Sequence, residues 1–465
     1  MDAALKAALL AGATRQIKIR FPDNDHAEIA SGIVTNSLSL ECVLNGDREL
    51  NFGECNASQF AVEVENLDNI TGKNIQVYEI VEDYEDEVIL FTGRVYSAVS
   101  NPESSTRTIT AYDVLYYHGE DDVTEWYNEI FAGVAGVTMK DFRDSLFAYV
   151  GITQTTQTLL NDSTVLHLYG SAEKITFGEI IRMICQLNAC YGHIEPDGTF
   201  KYIYLGAETA DYSGNYQAHA SKYSEYNVQN IDNVRLYGMD GYVAAQATSG
   251  TNAWNIVGNY LLAGMLAADL AQLVSDLCTY VSTLTMRNVE LDTLLSVPVD
   301  MGARLTYTTH TGETIESYVL YTRYYGSQLV GQTITASVSE SRQSTLSRED
   351  EQSLANIRIN VATAYRLDTT YTTTDTQYVF SAHLYYGSED VTARFDSMKF
   401  KWMTRNEDGD EFLGYGYTIT LDRTVAGYVG TVVCQWTDDP EEARIVSAEN
   451  DTIISSSGDT IIGIY

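Results

Sequence analysis

The sequence predicts a β-rich α+β multidomain chain, and three observations carry that prediction. Residues 16–113 hold one short alternating strand after another, broken by Gly, Asn, Pro and Ser. Residues 138–187 hold two amphipathic helices with clear start signals. From residue 369 onward apolar residues again fall at every second position. A chain of 465 residues has room for roughly three domains at about 150 residues each. Its 45% hydrophobic and 20% charged content fits ordered globular protein. The 34 tyrosines are conspicuous: Tyr favours strands, and its hydroxyl suits half-buried and interface positions. With five prolines, long Pro-rich linkers are excluded.

In chain order, residues 1–16 read as a short helix docking on the first strand. Asp2 and Lys6 argue against a secretion leader there. Strands are expected at 16–22, 37–43, 60–65, 74–80, 88–98 and 106–113. The acidic run Glu82, Asp83, Glu85, Asp86, Glu87 falls between two of them and reads as a solvated hairpin tip without the oxygen-ligand spacing of a metal loop. Thr138 to Asp141 starts a helix bearing Phe142, Leu146, Phe147 and Val150. Thr176 and Glu179 form a capping box ahead of the apolar face Ile180, Met183, Ile184 and Leu187. Residues 193–205 then read as a hairpin turning at Asp197-Gly198.

Strands are expected again over 228–246 and 301–341, the latter as three strands with turns at Thr311-Gly312 and Gly326-Ser327. Between them one helix is predicted over Leu261 to Val281. A further helix is predicted in 344–368, with Leu354, Ile357 and Val361 on one stripe. It would pack on its parent domain or form a short three-helix stalk. Residues 369–465, with Trp402, Cys434 and Trp436 facing inward, read as an immunoglobulin-like β-sandwich by pattern, without the Cys…Trp…Cys signature.

The formal charge is −36, from 28 basic and 64 acidic residues. That excludes a basic groove for nucleic acid, which needs clustered Lys and Arg. It suits a soluble surface, or a lining that repels phosphates. The six cysteines, Cys42, Cys55, Cys185, Cys190, Cys278 and Cys434, form no CxxC pair and read as buried free thiols. No run of 18 apolar residues predicts a membrane span.

No spacing in the chain matches HExxH, a P-loop, GxSxG or GxGxxG. The sequence therefore assigns no catalytic, cofactor-binding or metal residues and no cofactor. Three weaker groupings remain. Glu120, Asp121, Asp122 and Glu125 beside Trp126 have the composition of a glycosidase site, with carboxylates for acid–base work and an aromatic for the sugar. His193 and Glu195 share a strand face and would make a base and its neighbour. Asn406 to Glu411 has half the ligands of a calcium loop but lacks the distal bidentate Glu. The seven histidines (His26, His118, His167, His193, His219, His310, His383) stand singly.

Four motifs in residues 52–117, FGECNASQF, GKNIQVYEI, ILFTGRVYS and RTITAYDVLYY, resemble the first barrel of phage tail baseplate hub and tail-tip proteins. ITFGEIIRMICQLNA followed by YGHIEPDGTFKYIYL is similar to the middle domain of the same family. The resemblance covers roughly residues 15–343. It implies a first hub β-barrel (1–117), an α+β middle domain (118–227) and a second hub β-barrel with a long helix insertion (228–343). A helical linker (344–368) and the sandwich (369–465) would follow. It further implies a non-enzymatic virion component, assembled in the bacterial host cytoplasm, whose homotrimer presents six barrels to a six-fold tail tube. Expected partners are the tube or a distal tail protein ring, the C-terminus of a tape-measure protein, and tail fibre or receptor-binding proteins. DNA would pass through the lumen without specific binding, and the host cell surface is a further contact. Two alternatives stand beside this one: a tail adhesin binding receptors or glycans through the sandwich, and a wall or capsule polysaccharide hydrolase.

Overall fold

The computed structural model describes residues 3–465 except 47–48, 66–67, 132–135, 168–173, 213–217, 239–242, 294–298, 327–330, 340–364, 375–376, 387–388, 391, 396, 407–408, 423–430, 437–444, 447–452, 455–459 and 462–465. Helix α1 (Ala3–Leu10) comes first. Its Leu5 and Leu9 pack on Val81, so it docks on the end of the fourth strand, not on the first. Strands β1 (Arg15–Arg20), β2 (Leu38–Val43), β3 (Gln59–Glu65), β4 (Asn74–Val81), β5 (Val88–Asn101) and β6 (Thr106–Tyr112) follow where they were expected. They run antiparallel in the order β1-β4-β5-β6-β3-β2. Every second residue turns inward, so Ile17, Ile19, Phe60, Val62, Val64, Ile75, Val77, Phe91, Val95 and Ile109 fill one core. Each such side chain contributes roughly 1.5–3 kcal/mol on full burial.

The predicted closed barrel is not formed. Among the described residues no ladder joins β1 to β3; single bridges from Ile29 to Ile19 and from Ile33 to Val64 span the gap. The reason is local. Residues 29–34 are irregular, and Gly32 takes a left-handed φ of 80°.

The middle region holds α2 (Val114–His118), α3 (Thr124–Glu129), β7 (Val137–Thr138), α4 (Met139–Val150), β8 (Val165–Leu166), α5 (Phe177–Gln186), β9 (Tyr191–Ile194) and β10 (Phe200–Ile203). The two start signals act as expected. Thr138 Oγ1 accepts from Asp141 N–H, and Thr176 and Glu179 complete a reciprocal capping box. The loop entering β3 is threaded onto this region. Gly53 N–H donates to Cys190 O at 2.9 Å and Gly192 N–H to Glu54 O at 3.0 Å. Gly53 has φ 101°, and a Cβ there would sit 2.2 Å from Gln186 Cγ and 3.0 Å from Arg182 O on α5. Only Gly permits both the conformation and the approach.

Next come β11 (Thr209–Tyr212), β12 (Ala218–Tyr223), β13 (Asn233–Tyr237), β14 (Val243–Gln246), β15 (Ala253–Ile256), α6 (Ala267–Val281), β16 (Val289–Thr293), β17 (Arg304–Thr308), β18 (Thr314–Tyr318), β19 (Tyr321–Gly326) and β20 (Gly331–Ala336). The helix predicted from Leu261 begins six residues late. A single 3-10 turn at Tyr260–Leu262 is cut off by Gly264 at φ 76°, and Leu266 is extended. Residues 301–341 give four strands, because the chain changes sheets at Val319 and Leu320. Val319 N–H donates to Ala303 O beside β17, and Leu320 N–H to Thr335 O in β20.

A second closed barrel standing beside the first is also not what forms. β19 pairs with β2 from Tyr321↔Val43 to Gly326↔Leu38. The result is one ten-stranded sheet in the order β1-β4-β5-β6-β3-β2-β19-β20-β16-β12. β11-β17-β18 and β14-β13-β15 form separate small sheets, and one continuous core runs from the middle region into this second strand set.

Two four-stranded sheets follow, and a short two-stranded pair, Ile453–Ile454 with Thr460–Ile461, comes after them. β21 (Tyr365–Thr373), β22 (Gln377–Tyr386) and β23 (Glu389–Asp390) lie in one, with a strand at Thr418–Asp422 joining β22; β24 (Phe400–Asn406) and β25 (Gly409–Tyr415) lie in the other, together with strands Thr431–Trp436 and Ile445–Val446. They share a core of Leu367, Ala382, Leu384, Phe400, Trp402, Cys434 and Trp436, against which Ala263 also packs. The helix predicted in 344–368 falls largely outside the described residues; its last four positions belong to β21. No helix among the described residues is long and apolar enough to cross a membrane.

Candidate functional site

The structure encloses the Trp126 ring on which a sugar would stack. Trp126 is buried: its ring packs 4.9 Å from Phe142 and its Nε1 donates to Ser145 Oγ at 3.0 Å. It is therefore a core residue and offers no face for stacking. Asp122 Oδ1 accepts from Thr124 N–H (2.9 Å) and from its hydroxyl, which holds the carboxyl below its usual range and ties it into the turn before α3. Asp121 pairs with His118 Nδ1 at 2.6 Å.

His193 and Glu195 are separated by environment. His193 is enclosed, and burial pushes it down to about 4; its Nδ1 makes no hydrogen bond among the described residues. Glu195 is pushed up by burial and meets Lys201 Nζ at 3.2 Å. It lies at an open hollow with Ile89, Thr155, Asp197 and Thr199. The calcium-like stretch is the β24–β25 hairpin turn, with Asn406 opposite Gly409 and positions 407–408 outside the described residues. The acidic tip between β4 and β5 is as expected: Asp83 turns at φ 64°, and Glu87 is held low by its hydrogen bonds with Arg20. The six thiols are free and, apart from half-buried Cys42, buried; Cys55 Sγ lies 3.8 Å from Cys185 Sγ across the junction of the β3 entry loop and α5. Burial drives both far above the ordinary thiol range, so they are poor nucleophiles.

The junction itself is polar and specific. Asp113 caps α2, with Leu115 N–H donating to Oδ1 (2.9 Å) and Ser58 N–H to Oδ2 (2.6 Å). It thereby ties the start of β3, the end of β6 and the middle region together, and burial lifts its carboxyl to about 7.

A further candidate surface, not singled out by the sequence, is aromatic. Tyr112 and Tyr116 stack at 4.1 Å and 12°, Tyr96 stands edge-on to both at 5.7 and 5.5 Å, and Tyr117 continues the strip. The Arg94 guanidinium sits 5.4 Å from the Tyr117 ring, and the Tyr117 hydroxyl donates to Arg94 O at 2.8 Å. The signal was present as three tyrosines within six residues, 112–117, and a fourth one strand away.

No family model matches this sequence, and no curated protein matches it. Among solved structures, the chain is similar to the 43 kDa tail protein of prophage MuSo2 from Shewanella oneidensis, with 10% identity and a TM-score of 0.44 over 71% of this chain and 98% of that one. It is similar to a tail protein from Neisseria meningitidis, with 12% identity and a TM-score of 0.42 over 69% and 95%. It is also similar, with 6% identity and a TM-score of 0.31 over 93% and 99%, to an Escherichia coli component of the type VI secretion system, itself described as structurally similar to the T4 bacteriophage tail proteins gp27 and gp5. These neighbours are tail proteins and a secretion component of tail-like structure.

Proposed function

We propose that this chain is a non-enzymatic structural component of a tailed phage or a phage-derived particle, the hub at the tail tip. The observation that carries the reading is the β2–β19 pairing, which joins two strand sets nearly 300 residues apart into one sheet. One subunit thereby offers two adjacent strand sets, the first within 1–117 and the second within 228–343, braced by the middle domain at 118–227. A homotrimer of such subunits presents six sets to a six-fold tube or distal tail ring, turning three-fold into pseudo-six-fold symmetry. The tape-measure C-terminus and fibre or receptor-binding proteins are its further neighbours. The formal charge of −36 fits a lumen that passes DNA without holding it. Residues 369–465 act as an appended immunoglobulin-like sandwich. The test is an image of the particle with this chain located by a bound antibody fragment. Density at the tail tip supports the reading, and density along the tube or on the head removes it.

A second reading has its own observation. Tyr371, Phe412 and Tyr415 on the C-terminal sheets are 65%, 52% and 48% exposed, and exposed aromatic rings of this kind can take a sugar face. Glycan-array binding by the full chain that is lost in Tyr371→Ser and Phe412→Ser would favour it.

A further inference from the structure

The strip formed by Arg94, Tyr96, Val99, Tyr112, Tyr116 and Tyr117 lies on the outside of the first strand set. β5 carries a bulge between Val95 and Ser97. Tyr96 faces outward in alternation with buried Val95, and after the bulge Ala98 returns to the core and leaves Val99 outward. Tyr96, Val99 and Tyr116 are 52%, 63% and 44% exposed, although the rings are already fixed against one another. Large apolar side chains that are ordered and still wet mark a contact surface, and pre-stacked tyrosines lose little entropy when covered.

The electrostatics select the occupant. The chain carries −36 overall, so most of its surface repels another copy. On this strip the Arg94 guanidinium lies 5.4 Å from the Tyr117 ring, while burial and the neighbouring tyrosines push the Tyr116 phenol up. Arg94 thus puts a positive charge on this strip of a chain that is acidic overall, complementary to an acidic face of an identical molecule.

We propose that this tyrosine strip is the anchor of the contact between copies of this chain, its rings and Arg94 covered by an acidic face of the neighbouring subunit. The inference rests on the trimeric reading above and adds the surface that makes the trimer. Six side chains do not fill a stable interface of about 800 Å² per partner, but they form the central cluster that such an interface needs.

The test is the mass of the full chain in solution across a concentration series, for the unmodified protein and for the Tyr96→Ser, Val99→Ser double variant. Both positions are exposed, so the fold is expected to persist, checked by an unchanged melting profile. The association midpoint is expected to rise at least about tenfold in the double variant. An oligomer of unchanged midpoint overturns this inference and leaves the hub reading standing; a monomeric unmodified chain overturns the trimer and the inference together. A photo-crosslinker at position 96 of the full chain supplies the independent readout. Crosslinks between copies support the strip, and none between copies, or glycan binding abolished by the same double variant, assigns the strip to another partner.

Discussion

Arg143→Met removes a guanidinium that is almost completely enclosed on α4. Nε donates to Asp162 Oδ1 at 2.9 Å, Nη2 to Asp162 Oδ2 at 3.0 Å and to Gln157 O at 2.6 Å, and Nη1 to Gln154 Oε1 at 3.2 Å. The group also lies 5.3 Å from the Tyr202 ring. One side chain therefore ties α4 to the 154–162 segment and to β10. Met keeps the aliphatic stem but leaves the Asp162 carboxylate, 10% exposed as a side chain, without its counter-ion. Breaking a buried pair from one side costs about 3–5 kcal/mol. Asp162→Asn in the same chain removes the stranded charge while its amide oxygen still accepts from Leu159 N–H, so the double variant is expected to recover about 1–3 kcal/mol relative to Arg143→Met alone. Native-state hydrogen exchange of the α4 amides reads this directly, because opening of one unit does not require the whole chain to unfold. A cost below about 1 kcal/mol for Arg143→Met, or a double variant equal to the sum of the two single ones, refutes the reasoning.

Gly53→Ala is expected to loosen the β3 entry loop from α5, because φ is 101° and the new methyl meets Gln186 and the Arg182 carbonyl; a melting temperature unchanged from the parent would contradict this. Thr176→Ala removes half of the capping box and should cost about 1 kcal/mol, read as faster exchange in the first turn of α5. His193 is held at about 4 in the fold against about 6.5 when unfolded. Its stabilising share is complete above pH 6.5 and declines as pH falls toward 4, by up to about 3 kcal/mol. The stability difference between the parent and His193→Leu should therefore shift in favour of the variant over that window, and a difference independent of pH would show that His193 titrates freely.

Local chemistry was legible in the sequence where neighbours in the chain decide it. The Thr138 and Thr176 starts, the Asp197-Gly198 turn and the alternating strands to residue 113 all rest on contacts within a few residues. What was not legible was decided at long range or by one dihedral. Gly264 at φ 76° ends a helix pattern that is otherwise continuous from Leu261. The β2–β19 ladder, which replaces two separate barrels by one sheet, pairs residues near 40 with residues near 323, and alternation alone names no partner for an edge strand. Trp126 has the same composition around it as a sugar platform. Only burial against Phe142 shows that it is core. The tyrosines of 112–117 read as strand and helix filler until the fold places Tyr96 across from them.

In the proposed hub, one subunit supplies two strand sets to a ring built from three. The most direct measurement is the mass of the full chain in solution at micromolar concentration, by sedimentation equilibrium. A species of three times the 51.6 kDa of one chain is expected; a monodisperse monomer throughout the concentration range would contradict the trimer.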